Sequence, residues 1–175
     1  MREADILRSY RLVVFDADNT LRETVVSGKP CPHGPGEWVL RPGVRQVLQE
    51  VVWDERRGPH LGLASNQDHV AYGLVSLEMA RRLLRDLAAA ATGTVPADPA
   101  LQLCPHPLDG ACVCRKPEPG MLLSIMRYYG VEPAETLFVG DAEVDREAAA
   151  RAGTSFMWAS DLFGEVAESL RPQHA

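Results

Sequence analysis

Short apolar runs alternate along this chain with longer stretches in which apolar positions recur every three or four residues. Leu12-Val13-Val14-Phe15 is the first run, and it stops abruptly at Asp16-Ala17-Asp18-Asn19-Thr20. A run this short, bounded by polar turn residues, predicts a buried strand. His60 to Ala64 predicts a second strand, ending in Ser65-Asn66-Gln67, and Leu101 to Leu103 a third. Thr136 to Val139 predicts a fourth, ending in Gly140-Asp141, and Thr154 to Trp158 a fifth. Helical periodicity fills the intervals. Val44, Val47, Leu48 and Val51 form one apolar face in a helix opened by Pro42-Gly43 and ended by Gly58-Pro59. Ser76, with Glu78 in the first turn, predicts the start of a helix that buries Leu77, Ala80, Leu84, Leu87 and Ala91 and leaves Arg81, Arg82, Arg85 and Asp86 wet. Glu118-Pro119 opens a helix with Met121, Leu122, Ile125, Met126 and Tyr129 inward, ending at Gly130. Glu143 to Ala152, closed by Gly153, is the next helix, and a short one follows Asp161.

Strands alternating with helices predict an α/β fold: a mainly parallel five-stranded sheet flanked by helices. The length of 175 residues suits one domain over 1–175, with neither repeat nor interdomain linker. The stretch Arg22 to Arg41, with Gly or Pro at 28, 30, 32, 34, 35 and 36, reads as a long loop beside the end of the first strand. Arg22 and Lys29 on it read as solvated surface charge, with contact to an anionic substrate as the alternative.

Composition narrows the function. A net charge of −6 weighs against a nucleic-acid partner. No apolar run is long enough to span a bilayer, and Met1 to Tyr10 is too charged for a signal peptide. The expectation is a cytoplasmic protein, where thiols stay reduced. Its four cysteines are then free or metal-bound.

The chemistry gathers at strand ends. Alternation puts Asp16 and Asp18 on one side where the first strand stops, and that end of an open α/β sheet is where ligands bind. If the first, second and fourth strands are neighbours, one pocket collects Asp16, Asp18, Ser65, Asn66, Asp141 and Asp145, with Lys116 nearby. Four carboxylates there cannot all stay ionised without a cation, and hard oxygen donors suit Mg²⁺. Separately, Cys104-Pro105-His106 and Cys112-Val113-Cys114 place three thiols and an imidazole within residues 104–114. That set fits a tetrahedral structural Zn²⁺ site stiffening the loop 104–116. A disulfide in an oxidising setting is the alternative. Cys31-Pro32-His33 repeats the pattern without a nearby partner pair, and Cys31 reads as a lone loop thiol.

Asp16-Ala17-Asp18-Asn19-Thr20, Ser65-Asn66-Gln67, Arg115-Lys116-Pro117 and Gly140-Asp141 with Asp145 resemble, in order, the four motifs of the haloacid dehalogenase superfamily. The resemblance implies a Rossmann-like core and phosphomonoester hydrolysis. It makes Asp16 the nucleophile that forms an aspartyl phosphate. Asp18 becomes the general acid and then the general base, a role that requires it protonated when the alcohol leaves. Ser65, Asn66 and Lys116 hold the phosphoryl group. Asp16, the Asp18 backbone carbonyl and Asp141 bind Mg²⁺, and Asp145 supports them.

The Cys/His loop with Arg115-Lys116-Pro117-Glu118-Pro119-Gly120-Met121 resembles the branch of that superfamily holding heptose bisphosphate and histidinol-phosphate phosphatases, whose members lack a large cap domain. A small phosphorylated metabolite, such as a heptose or other sugar phosphate, is the expected substrate, and a monomer the expected state. The alternatives are histidinol phosphate and a 3′-phosphate on a DNA or RNA end. The segment Phe156 to Gly164 would then supply stacking aromatics, although a core strand running into a helix accounts for it too. Four features depart from the pattern: Asn19 where Gly is usual, Asp68-His69-Val70-Ala71-Tyr72-Gly73 where Ser-Gly is usual, Ala142 where Lys is usual, and the Arg22 to Arg41 loop, which is unlike either group.

Overall fold

The computed structural model describes residues 2–53 and 56–164. Its strands are β1 (Leu12–Phe15), β2 (Arg22–Thr24), β3 (Trp38–Leu40), β4 (His60–Asn66), β5 (Leu101–Cys104), β6 (Thr136–Gly140) and β7 (Ser155–Trp158). Its helices are α1 (Glu3–Arg8), α2 (Val44–Leu48), α3 (Leu77–Thr92), α4 (Gly120–Tyr129), α5 (Glu143–Ala152) and α6 (Ala159–Phe163). Five strands form one parallel sheet in the order β5-β4-β1-β6-β7. This is the parallel α/β arrangement the apolar runs predict and the Rossmann-like core the resemblance implies, with β1 in the centre.

The period of two along β1 divides the core. Val13 and Phe15 face a cluster with Leu7 of α1, Leu48 of α2, Leu84 and Leu87 of α3, and Leu162 of α6. Leu12 and Val14 face the opposite cluster with Met121, Leu122 and Ile125 of α4 and Ala148 and Ala149 of α5. All four β1 side chains are fully buried, so the strand needs apolar residues on both faces. α3 starts as expected, with Ser76 Oγ accepting the Met79 N–H at 3.0 Å.

Several expectations need correction. Residues 22–41 are not a structureless loop: β2 and β3 pair antiparallel, Arg22 opposite Leu40 and Thr24 opposite Trp38. The helix after Gly43 stops at Leu48 because the chain turns inward there. Val51 and Trp53 enter the core, and the Trp53 indole N–H donates to the Leu48 carbonyl at 2.9 Å. Leu77, at the outer start of α3, is 37% exposed and not in the buried stripe, whereas Leu83 and Ala88 are. The last helix begins at Ala159, before Asp161. α1 was not predicted, because only Ala4 and Leu7 of it are buried and two apolar positions give no readable period. The aromatic ending is a strand running into a helix, as the simpler reading expects: Phe163 is buried against Phe15, ring centroids 6.4 Å apart, while Phe156 and Trp158 of β7 are half-buried.

Candidate active site

The sheet order makes β4, β1 and β6 neighbours, so their C-terminal ends meet. Asp16 follows β1 directly, and its N–H donates to the Val139 carbonyl of β6 at 2.9 Å. Its carboxylate is buried. One oxygen accepts from Lys116 Nζ at 2.6 Å, and the other accepts from Thr20 Oγ at 3.0 Å. Thr20 Oγ also lies 3.1 Å from Asp141 Oδ1. Burial pushes the Asp16 carboxyl up, Lys116 pulls it down, and Asp145 and Asp141 push it up again, so it lies well above the usual carboxylate range.

Lys116 is buried, and its ammonium meets three oxygens: Asp16 Oδ1, the Ala64 carbonyl at 2.8 Å and Asp145 Oδ1 at 2.7 Å. Burial works against its charge, but Asp16 and Asp145 outweigh that and hold the lysine charged. Asp145 stands in the first turn of α5, where Oδ2 accepts the Asp141 and Ala142 N–H groups at 3.2 and 3.0 Å. Carboxylates are favoured at a helix N-terminus. Gly140 permits this placement, since a Cβ there would lie 2.6 Å from the Asp145 carboxyl carbon.

Asp18 sits beside this centre with both oxygens engaged. Arg22 Nε donates to Oδ1 at 2.7 Å and Gln67 Nε2 to Oδ2 at 2.8 Å. Arg22 is therefore not surface charge: it is 1% exposed and fixes Asp18 from one side. Lys29, the other cation of that segment, pairs with Glu37 at 3.0 Å. Gln67 also donates to Ser65 Oγ at 2.8 Å. The Asn66 side chain does not face the pocket freely. It accepts the Lys116 N–H at 3.0 Å and donates to the Lys116 carbonyl at 3.1 Å, thereby locking the lysine's backbone. Asn19 explains one departure from the motif, because its φ of 63° is a left-handed turn that Asn tolerates better than other side chains.

Thr20, Arg22 and Gln67 are site residues that the sequence reading did not assign. Each lay within or beside a quoted motif, and the signal was their spacing: Thr20 four residues after Asp16, Arg22 four after Asp18, Gln67 two after Ser65.

Asp16, Asp141 and Asp145 offer carboxylate oxygens that all lie within 4.8 Å of one another. Three carboxylates against one ammonium leave excess negative charge, so a hard divalent cation fits this donor set. Burial first, and then Asp145, also raise the Asp141 carboxyl above its usual value. A second donor set lies in the loop before Lys116. Cys104 Sγ is 3.6 Å from Cys112 Sγ and 3.4 Å from His106 Nδ1. Cys114 Sγ is 3.6 Å from Cys112 Sγ and 3.2 Å from His106 Nδ1. A Zn–S bond of about 2.3 Å in a tetrahedron implies S···S near about 3.8 Å, so the spacing fits zinc. All four cysteines are free thiols, and these separations are far beyond the roughly 2.05 Å of a disulfide. Burial raises the Cys112 thiol, but backbone N–H groups, Arg115's first, bring it down to about 7. The loop closes onto α4 at Gly120, whose N–H donates to the Val113 carbonyl at 3.0 Å and where a Cβ would run into that carbonyl.

Cys31 is a further correction. It is buried, with Sγ 3.4 Å from His69 Nδ1, and His33 Nε2 lies 2.7 Å from the same nitrogen. The thiol is not lone, because the turn after β4 brings His69 to it.

A parallel sheet with acid residues at the ends of β1 and β6 and a buried lysine between them defines a class before it defines a protein. The family model for haloacid dehalogenase-like hydrolases matches residues 33–153, and this chain belongs to that family. A D-glycero-beta-D-manno-heptose-1,7-bisphosphate 7-phosphatase of Bordetella bronchiseptica is 32% identical over 146 residues, covering 82% of this chain and 76% of that one. The Pseudomonas aeruginosa enzyme of the same name is 37% identical over 116 residues, covering 65% of this chain. The chain thus spans 62% of the length of that relative. The crystal structure of the D,D-heptose 1,7-bisphosphate phosphatase from B. bronchiseptica, complexed with magnesium and phosphate, superimposes with a TM-score of 0.68. It is 31% identical and covers 83% of this chain and 78% of its own. No helix among the described residues is long and apolar enough to cross a membrane.

Proposed function

We propose that this chain is a Mg²⁺-dependent phosphomonoester hydrolase that acts on a small phosphorylated metabolite, a heptose bisphosphate or a similar sugar phosphate. The observation that carries the reading is the buried Asp16 carboxylate held by Lys116 at 2.6 Å, with Asp18 two residues on. Asp16 attacks phosphorus and the sugar oxygen leaves, giving an aspartyl phosphate and an alcohol. Asp18 gives its proton to that oxygen, then takes one from the water that opens the acyl phosphate. Lys116 offsets charge on Asp16 and on the phosphoryl oxygens. Ser65 hydrogen-bonds a phosphoryl oxygen; Asn66 acts chiefly by holding the Lys116 backbone. Thr20, Arg22 and Gln67 keep the two aspartates in place, so catalysis rests on positioning and fixed charge. Asp16, Asp141 and the Asp18 backbone carbonyl would hold Mg²⁺, with Asp145 supporting, and the ion would supply positive charge at the transferring group. Cys104, His106, Cys112 and Cys114 would hold a structural Zn²⁺, which would stiffen the loop that delivers Lys116. The heptose assignment rests on the names of the relatives.

The test is phosphate release, with Mg²⁺, from heptose bisphosphate, histidinol phosphate, common sugar phosphates and a 3′-phosphorylated oligonucleotide, beside an Asp16→Asn control. One preferred sugar phosphate is expected, with activity reduced about 10⁴-fold or more in the control. Equal activity in the control would sink the mechanism, and preference for the oligonucleotide would sink the substrate class.

A further inference from the structure

Outside the carboxylate centre and the Cys/His loop, one more cluster of metal-ligating side chains stands among the described residues. Cys31, His33 and His69 offer ligand atoms that lie within 4.8 Å of one another. They come from two segments far apart in sequence: the connection between β2 and β3, and the turn after β4 that begins at Asp68.

Hydrogen bonding alone serves this cluster poorly. A ring nitrogen carries either one proton or one lone pair. His69 Nδ1 nevertheless faces two partners, His33 Nε2 at 2.7 Å and Cys31 Sγ at 3.4 Å. If it donates to one it cannot accept from the other. One cation among the three atoms satisfies all of them once the 2.7 Å separation of the two ring nitrogens opens to the roughly 3.3 Å that two Zn–N bonds subtend in a tetrahedron, a shift the half-buried imidazoles can make. The backbone around the cluster is already fixed by other contacts. Glu37 accepts the His33 N–H at 2.7 Å, and the Lys29 ammonium donates to Glu37 at 3.0 and 3.2 Å. Cys31 is 7% exposed, while His33 and His69 are half-buried, so the sulfur is sheltered and the imidazoles reach solvent.

The geometry points to a second zinc-class metal site, formed by Cys31, His33 and His69, that clamps the β2–β3 segment onto the turn after β4. One thiolate and two imidazoles select a borderline-soft divalent ion such as Zn²⁺ or Co²⁺, not Mg²⁺. Three protein ligands leave a fourth position for water or another small oxygen ligand. The two segments joined here carry Arg22 and Gln67, the residues that hold Asp18. The site does not depend on the phosphatase reading or on zinc in the 104–114 loop, because it is measured as a difference between proteins.

The test is a Co²⁺ titration of the full chain, counting equivalents that give tetrahedral visible bands, in wild type, Cys31→Ala and His69→Ala. Circular dichroism checks that each variant is folded, and His33→Ala replaces either one that is not. The expected result is one equivalent fewer in each variant than in wild type, with the loop cysteines intact. An unchanged count in a folded variant would overturn the site.

Discussion

The carboxylate centre and the 104–114 loop gather charged and metal-ligating groups by opposite means. The first takes its groups from the ends of β1 and β6 and from α5, and exists only when the whole sheet is formed. The second draws its four ligands from one short stretch, with Cys104 ending β5 and His106, Cys112 and Cys114 on the loop that follows, so only its first ligand is fixed by the sheet. Their donors differ accordingly: oxygens for a hard ion in the first, sulfur and nitrogen for a softer one in the second. They meet at Lys116, which lies two residues after Cys114 and reaches Asp16 and Asp145 across the sheet end. A locally built loop thus delivers the one cation that a globally built acid cluster requires.

Lys116→Met breaks the global region hardest. It leaves Asp16 and Asp145 buried beside each other without their ammonium, and removing one partner of such a pair costs about 3–5 kcal/mol. Urea unfolding in Mg²⁺-free buffer should show that loss, while bound zinc is unchanged. Equal stability would mean that the lysine does not hold the acids together.

Cys112→Ser is the corresponding change in the local region. Its zinc should fall by one equivalent and its stability by about 2–3 kcal/mol, within the range expected when a metal site is lost. Elemental analysis and thermal melting check both. Unchanged zinc and an unchanged Tm would remove the structural-zinc reading.

The acid cluster should also respond to pH in a way the loop does not. In the metal-free protein the Asp16 carboxyl is raised from 3.8 to about 8, chiefly by burial. Folding therefore favours its protonated form. The stability this contributes is full below the ordinary value and is lost as pH rises through that interval. A Mg²⁺ ion offsets the charge, so the rise in Tm on adding Mg²⁺ should grow with pH from 3.8 toward about 8. A Mg²⁺ effect that shrinks as pH rises would contradict the burial argument.

The same contrast explains what could be read from the sequence. The five strands were legible because buried parallel strands are short apolar runs, and the loop ligands because they are adjacent. Asp16, Asp18, Ser65, Lys116, Asp141 and Asp145 were legible from ordered motifs, and the structure brings them to one sheet end. Arg22 was read as solvated because nothing in a Gly/Pro-rich stretch signals that a guanidinium will be buried against Asp18. Cys31 was read as lone for a related reason: His69 is 38 residues away, and only the antiparallel pairing of β2 with β3 and the turn after β4 bring it close. The β2–β3 ribbon itself, with strands of three residues each, is too short to show a period.

Asn19 offers the smallest and cleanest cut between backbone and side-chain effects in the carboxylate centre. Its N–H donates to the Arg22 carbonyl at 2.8 Å, closing the turn that brings Arg22 back to Asp18. The backbone bond survives any substitution but proline, so only the cost of φ at 63° changes. Asn19→Gly should leave stability within about 0.5 kcal/mol, because glycine adopts this region freely. Asn19→Ala should lose about 1 kcal/mol, the left-handed penalty for an ordinary side chain. Phosphate release should fall with Ala and not with Gly, since a strained turn displaces Arg22 from Asp18. Equal behaviour of the two variants would place the importance of Asn19 in its amide, which makes none of the hydrogen bonds described for this site.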